Sequence, residues 1–156
     1  MQDIAGCRVV VENVRSQNSV VEQLASILPG SKTVDRRQKP SHGYRAVHVI
    51  ASIRSIRVEI QIRTKLQDLW ANISERFADR SSQEIKYGRG PEHLQEILMK
   101  LSDWIADLEE DEIAFLRGGL RNTSGTYLSH IDSTNTKIAA IFQQLIEKLD
   151  SLRKHP

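Results

Sequence analysis

The 156-residue chain has the length of one ordinary domain and is long enough to bury a substantial apolar core. Its 39% hydrophobic and 27% charged residues are typical of a globular protein and exclude the disordered, collagen-like and membrane classes. No apolar run approaches the ~20 residues that cross a bilayer, and the first residues do not resemble a secretory signal, so we expect a cytoplasmic protein without a membrane partner.

The net charge of +2 averages two halves of opposite sign. Residues 1–90 hold 15 Lys and Arg against 9 Asp and Glu, whereas residues 91–156 hold 7 against 11. The basic half is the one expected to meet an anionic partner. We therefore predict a domain over residues 1–90 and a helical extension over residues 91–156.

The chain begins with an apolar run of β character. Residues 4–12 predict a strand, and we expect Cys7, the only cysteine, to be a buried structural thiol. A lone cysteine also excludes an internal disulfide and a cysteine zinc cage. A short helix is predicted from Ser19 to Leu28 and ends at Pro29-Gly30, and a polar basic stretch follows over residues 31–43.

Two β-rich runs, residues 44–52 and 56–64, precede a helical run over residues 64–80. If Arg54-Ser55 is a two-residue hairpin loop, the strand pairs are Ile53 with Ile56, Ile50 with Glu59, His48 with Gln61, and Ala46 with Arg63. Directly paired residues point to the same side of a sheet. The polar side chains of both strands should therefore share one surface, made of Tyr44, His48, Glu59, Gln61 and Arg63.

Two interpretations of this polar surface are open. It can be the solvated outer face of an antiparallel sheet, or it can be a ligand site, because such a set of polar groups is costly to bury without partners. A neighbouring group of basic residues favours the ligand site; its members are Arg36, Arg37, Lys39 and Arg45. Such cations beside a glycine suit phosphate binding.

The acidic half has helical periodicity. Apolar residues repeat at spacings of three and four from Leu94 to Leu108 and again from Ile138 to Leu152, with Gly118-Gly119 between the two segments. The acidic run at residues 109–112 is interpreted as a solvated helix face. The apolar stripes can pack on the chain's own sheet or mediate a homo-oligomer.

The strings DIAGCRVVV, DRRQKPSHGYRAVH, VEIQIRT and KYG, in this order over roughly residues 2–90, resemble the RelA/SpoT-type alarmone synthetase domain. That family transfers pyrophosphate from ATP to the 3′-hydroxyl of GDP or GTP and so makes (p)ppGpp. The resemblance implies an α/β fold: a small mixed β-sheet of nucleotidyltransferase-like type with flanking helices and a C-terminal helical pair. Pyrophosphoryl transfer on GDP or GTP is the leading functional hypothesis.

The resemblance also implies a role for each residue of the polar surface. Asp3 and Glu59 would bind Mg²⁺, Glu59 would activate the acceptor hydroxyl, and Tyr44 would stack on guanine. The acceptor contacts would be completed by His48, Gln61 and Arg63 on the same face and by Arg36, Arg37, Lys39 and Arg45 on the loop. Simpler interpretations remain for Asp3 as a strand-end residue and for Tyr44 and His48 as a packed pair. For Arg8, a structural ion pair and a substrate contact are both open.

Two departures from the family pattern keep other functions in view. The family places a triphosphate-binding segment before the strand at Asp3, so the resemblance implies an N-terminally incomplete domain: an internal start, a natural fragment or a degenerate paralogue, of which the first is favoured. The loop reads Lys39-Pro40-Ser41-His42 where the family commonly has Pro-Lys and an Asn, which leaves the acceptor open. The alternatives are a toxin that modifies the 3′ end of tRNA or makes adenosine alarmones, and a nucleotide-binding or oligomerising remnant without turnover.

Overall fold

The structure is a computed structural model that describes residues 5–80, 85 and 87–117. Its elements are β1 (Ala5–Val11), α1 (Val14–Ile27), β2 (Lys32–Asp35), β3 (Val47–Ile53), β4 (Ile56–Thr64), α2 (Lys65–Arg80) and α3 (Glu92–Arg117). The four strands form one sheet in the order β1-β4-β3-β2, in which β1 is parallel to β4 and the other neighbours are antiparallel. The expected α/β fold with a small mixed sheet is confirmed. The predicted helix from Ile138 to Leu152 lies outside the described residues.

The hairpin of β3 and β4 has the predicted loop and register. Ile53 pairs with Ile56, Ile50 with Glu59, and His48 with Gln61. Arg54 and Ser55 have φ angles of 50° and 64°, the left-handed backbone that a two-residue turn between twisted strands requires. The predicted pair of Ala46 with Arg63 is wrong, because the ladder ends at Val47 and the Ala46 carbonyl accepts from the Arg36 amide at 2.9 Å.

Helix α1 begins five residues before the predicted start at Ser19. Asn13 is its N-cap, and the Asn13 side chain accepts a 2.9 Å hydrogen bond from the Ser16 amide. Such a cap satisfies one of the amides that a helix N-terminus leaves without a partner. The predicted end, before Pro29 and Gly30, is confirmed.

Strand β2 differs from the sequence prediction, which makes residues 31–43 a polar basic stretch with turn residues. Among the described strands β2 pairs only with β3, at the edge of the sheet, and Val34 is its one apolar residue. A four-residue edge strand with so little hydrophobic alternation carries almost no periodic signal. The formation of β2 therefore depends more on its backbone pairing with β3 than on its side chains.

Two apolar clusters hold the layers together. On one side of the sheet, Val49, Ile60 and Ile62 pack against α1 and apolar residues of β1. The second cluster joins α2 to α3, and its buried members include Trp70, Ile73, Phe77, Leu98, Leu101 and Ile105. Helix α3 thus shares a core with the helix before it, although it follows the boundary predicted at residue 90. That boundary stays a prediction.

Cys7 is exposed, so the expectation of a buried thiol is wrong. The residue lies in β1, which is an edge strand and is exposed along most of its length. An apolar sequence run alone does not distinguish an edge strand from a central strand.

A buried polar network joins the start of α2 to α3. The backbone amide of Gln67 donates to the Thr64 hydroxyl at 3.1 Å. The backbone amide of Thr64 donates to the side-chain oxygen of Gln67 at 3.3 Å, so these two residues form a capping box. Glu109 accepts from both side chains and is 7% exposed. The interpretation of residues 109–112 as a solvated face is therefore wrong for Glu109.

None of the helices in the described ranges combines the length and apolar character needed to span a bilayer.

Candidate active site

The polar surface predicted from the hairpin exists and lines a cavity of about 540 Å³. Neighbouring positions on β3 and β4 bring His48, Glu59, Gln61 and Arg63 to it. The opposite face of the same strands carries Val49, Ile60 and Ile62 against α1. The period-two alternation therefore separates an apolar packing face from a polar cavity face. Tyr44 lines the same cavity. All five residues of the predicted polar surface therefore lie together, as expected.

Tyr44 reaches the cavity through a tight turn. Ser41 and Tyr44 exchange backbone hydrogen bonds of 3.0 and 3.2 Å, and the two residues between them, His42 and Gly43, have φ angles of 53° and 86°. A Cβ atom on Gly43 would lie 2.7 Å from the Trp70 ring, so only glycine fits between this turn and α2. Trp70 is fixed in turn by a 2.7 Å hydrogen bond from its indole nitrogen to the Leu98 carbonyl.

A chain of hydrogen bonds connects Glu59 to Tyr44. His48 Nδ1 contacts Glu59 Oε1, and the Tyr44 hydroxyl is 3.1 Å from His48 Nε2. The Tyr44 and His48 rings meet edge to face with centroids 5.6 Å apart. The interpretation of Tyr44 and His48 as a packed pair and their placement in a candidate site are thus both consistent with the structure.

Arg63 lies at the Tyr44 end of these hydrogen bonds and contacts three side chains. Its Nη2 atom donates to the Tyr44 hydroxyl at 3.1 Å and to Gln61 Oε1 at 3.0 Å, while Nη1 donates to Asp68 at 3.1 Å. The guanidinium carbon lies 5.0 Å from the centre of the Tyr44 ring, within the range of a cation–π contact. Arg63 is only 4% exposed, and its Nε has no hydrogen-bond partner among the described residues.

The four basic residues predicted to contact phosphate have different surroundings in the structure. Arg36 lines the cavity, whereas Arg37 and Arg45 contact other parts of the protein. Arg45 donates to Ser102 at 2.9 Å and to the Arg37 carbonyl, and it lies 3.5 Å from Asp103. Lys39 is exposed and does not line the cavity.

Arg37 is held by Asp35 and α1. It donates to Asp35 through Nε and Nη2 and to Asn18 at 2.7 Å. Partial burial tends to raise the pKa of Asp35, but the hydrogen bonds and charge of Arg37 outweigh this and hold that pKa below its usual value. Arg37 is therefore part of a structural ion pair.

Asp3, the second predicted metal ligand, lies outside the described residues. Arg8 lies 3.4 Å from Asp68, in agreement with the ion-pair interpretation of this residue. Its strand partner is Gln61, so Arg8 is positioned beside the polar surface of β4. Asp68 thereby connects Arg8 to Arg63.

Sequence reasoning missed the far wall of the cavity. This wall consists of residues from α2, the Tyr44 turn and the segment after α2, namely Ser41, Trp70, Ala71, Ser74, Glu75 and Tyr87. The signal that could have found the helical part is the spacing of three and four among Trp70, Ala71, Ser74 and Glu75, which places them on one side of a helix.

The described residues offer a limited set of metal ligands. Within them no group of three or more His, Cys, Asp or Glu side chains is arranged to hold a metal ion. Magnesium, however, usually takes only one or two carboxylates and completes its shell with water and substrate phosphates. Glu59 on the cavity wall supplies one such carboxylate, so the donor chemistry fits a magnesium ion shared with a nucleotide.

Comparison with known proteins identifies the class to which this fold and site belong. The family model described as "Region found in RelA / SpoT proteins" matches residues 1–83. The chain therefore belongs to the RelA/SpoT family.

Within the family, the structural likeness is to small alarmone synthetases. Small alarmone synthetase 1 from Bacillus subtilis, solved with its product pppGpp, is 30% identical with a TM-score of 0.56, over 78% of this chain and 66% of that one. The Bacillus subtilis GTP pyrophosphokinase YjbM is 28% identical over 140 residues, which cover 81% of this chain and 63% of that protein.

A Mycobacterium tuberculosis protein of uncharacterized function is 38% identical over 126 residues, covering 72% of this chain. The match extends over 45% of that relative, so this chain spans about half its length.

Proposed function

We propose that this chain carries the acceptor side of a synthetase that transfers pyrophosphate from ATP to the 3′-hydroxyl of GDP or GTP. The observation that supports the proposal best is the meeting of the Tyr44 ring and the Glu59 carboxylate in one cavity of about 540 Å³. Ligand pockets of ~300–1,000 Å³ accommodate molecules of nucleotide size. A base-stacking surface and a proton acceptor in one such cavity are the two groups that an acceptor nucleotide needs.

Glu59 is the proposed general base. Its carboxylate takes the proton of the acceptor 3′-hydroxyl as the hydroxyl oxygen forms a bond to the β-phosphorus of ATP. The bond from that phosphorus to the oxygen bridging the α- and β-phosphates breaks, and AMP leaves with the bridging oxygen. The proton then passes from Glu59 to solvent.

Tyr44 is the proposed base platform and Arg36 the proposed phosphate contact on the loop, because both line the cavity. Lys39 is exposed and stays a proposed phosphate contact of the loop. Arg37 and Arg45 are less suitable than the sequence indicated, because each is engaged by other residues of the protein. Phosphoryl-type transfer depends mainly on alignment and positive charge, so one well-placed arginine is a substantial contribution.

Magnesium is the proposed cofactor, held by Glu59 together with Asp3. A magnesium ion would neutralise the charge of the transferred group. Orientation of the acceptor would remain the task of Tyr44 and of the polar side chains on β3 and β4.

An acceptor panel tests the proposal. The chain, alone and within the full reading frame that encodes it, is incubated with labelled ATP and with GDP, GTP, an adenine nucleotide or tRNA. We expect labelled pyrophosphate on GDP or GTP with release of AMP. Label on tRNA or on the adenine nucleotide alone would replace the proposed acceptor by one of the other family activities. Nucleotide binding without transfer to any acceptor would favour a non-catalytic remnant.

A further inference from the structure

Four side chains of the cavity wall form a continuous hydrogen-bonded row: Arg63, Tyr44, His48 and Glu59. The contacts are Arg63 Nη2 to the Tyr44 hydroxyl at 3.1 Å, that hydroxyl to His48 Nε2 at 3.1 Å, and His48 Nδ1 to Glu59 Oε1. His48 is 7% exposed and Arg63 is 4% exposed. Buried polar groups are held by their partners, because breaking such a bond leaves a desolvated group unpaired.

The donors and acceptors of this row are constrained at both ends, by the Arg63 guanidinium and by the Glu59 carboxylate. A guanidinium can only donate, so the Tyr44 oxygen accepts from Arg63. The single proton of the Tyr44 hydroxyl is then available to His48 Nε2. At the other end of the row the Glu59 carboxylate can only accept, so His48 carries a proton on Nδ1 and donates it to Glu59.

We propose that His48 and the Tyr44 hydroxyl are positioning residues that fix the Glu59 carboxylate for the acceptor hydroxyl, an inference that rests on the proposed function. The imidazole holds Oε1, so the rotation of the carboxylate is limited and the second oxygen is presented in one direction. General-base catalysis depends on such placement, because the base must lie within hydrogen-bond reach of the proton it takes. The family resemblance by itself placed His48 only among the acceptor contacts.

Tyr44 then has two separable functions. Its ring supplies the stacking surface for the base, and its hydroxyl determines the orientation of His48 and, through it, of Glu59. Binding of the acceptor base is thus linked directly to the placement of the group that activates the acceptor hydroxyl. Tyr44→Phe removes only the second function, whereas Tyr44→Ala removes both.

The first measurement concerns the protein without substrates. The chain has five histidines, and ¹⁵N labelling of their rings reports which nitrogen of each neutral imidazole carries the proton. The His48 signals are assigned by their loss in His48→Asn. We expect the Nδ1–H tautomer in the native chain and a weaker preference for it in Tyr44→Phe, where the Glu59 carboxylate alone favours it. An Nε2–H tautomer of His48 in the native chain would overturn the proposal.

The second measurement separates positioning from binding. Tyr44→Phe should lower kcat about tenfold or more, as supporting partners of a reactive group commonly do, with KM for the acceptor changed less than threefold. His48→Leu should lower kcat at least as far. His48→Asn places an amide donor near the position of Nδ1 and should retain several times the kcat of His48→Leu.

Thermal unfolding of each variant identifies any general loss of structure. Folded Tyr44→Phe and His48→Leu proteins with kcat within twofold of the native value would overturn the proposal while leaving the proposed function intact. Transfer to no acceptor by the native protein expressed from its full reading frame would contradict the proposed function instead, and the tautomer measurement would still decide whether the hydrogen-bonded row exists.

Discussion

The Glu109 carboxylate accepts a 2.6 Å hydrogen bond from the Thr64 hydroxyl at the junction of β4 and α2. Gln67 donates to both carboxylate oxygens at 2.9 and 3.0 Å. The capping box that starts α2 is therefore also the attachment point of α3. Because Arg63 directly precedes Thr64, this attachment stabilises the end of the strand that carries the cavity's polar residues.

The Glu109 network predicts a pH-dependent stability. Burial raises the pKa of Glu109, and the hydrogen bonds from Thr64 and Gln67 offset this only in part. A carboxyl group with a folded-state pKa above its unfolded value binds more protons in the folded state, so the free energy of unfolding falls as pH rises from about 4.5 through the folded-state pKa. Glu109→Gln should flatten this dependence in urea unfolding measured between pH 4 and 8. The matched control is Glu110→Gln, which changes an exposed neighbour and should keep the native slope. An unchanged slope in Glu109→Gln would contradict the assignment.

The hairpin turn predicts a stabilising substitution. Ser55 has a φ of 64°, a conformation that glycine adopts without the steric cost paid by other residues. Ser55→Gly should raise the free energy of unfolding by about 0.5–1 kcal/mol in urea titrations. Ser52→Gly, at an exposed position within β3, should lower it by a similar amount, about 0.5–1 kcal/mol, because glycine weakens a strand interior. If both substitutions changed the free energy of unfolding in the same direction, the backbone conformation at each site would not be the cause of the change.

Gly43 and Gly30 form a matched pair for the Tyr44 turn. Both have a positive φ, 86° and 80°, but an added Cβ would meet the Trp70 ring at 2.7 Å at Gly43, whereas at Gly30 it would have no atom of the described residues within 4 Å. Gly30→Ala should cost about 1 kcal/mol for the backbone alone. Gly43→Ala should cost about 1–3 kcal/mol more, because Trp70 is buried and cannot move freely. Thermal unfolding compares the stability of the two variants. Equal losses of stability would exclude the close approach of Gly43 to the Trp70 ring.

Tyr44→Ala tests the stacking role. Removal of the ring should weaken the binding of a guanine nucleotide by about 1–3 kcal/mol in calorimetry, the usual contribution of one stacked base. Adenine nucleotide bound as the donor should be affected much less. Ile27→Ala, an exposed change on α1, is the control for general effects on the fold. Equal losses for both nucleotides would argue against Tyr44 as the acceptor platform.

The sequence was most informative where periodicity and packing agree. The alternation along β4 separates Val58, Ile60 and Ile62 from the polar residues between them, and a two-residue loop at Arg54-Ser55 then gives the register of the hairpin. The shared surface of His48, Glu59 and Gln61 could therefore be predicted without the structure.

The missed features depend on tertiary contacts that leave little trace in sequence. Glu109 is buried because Thr64 and Gln67, far away along the chain, bring hydrogen-bond donors to it. Arg37 and Arg45 look like phosphate ligands in sequence, yet Asp35 next to Arg37 and the distant Ser102 hydroxyl engage them instead. The type of a charged residue indicates which groups it can bind. The fold determines which of those groups lies in contact with it.

The central claim is that the cavity carrying Glu59 is the acceptor site of a pyrophosphoryl transfer. The most direct measurement is the rate of labelled pyrophosphate transfer to GDP or GTP by Glu59→Gln, which keeps the size of the side chain and removes the base. Thermal unfolding and acceptor binding are measured on the same sample. We predict a fall in kcat of about 10²–10⁴-fold in a folded protein that still binds the acceptor. Transfer at the native rate by folded Glu59→Gln would contradict the account.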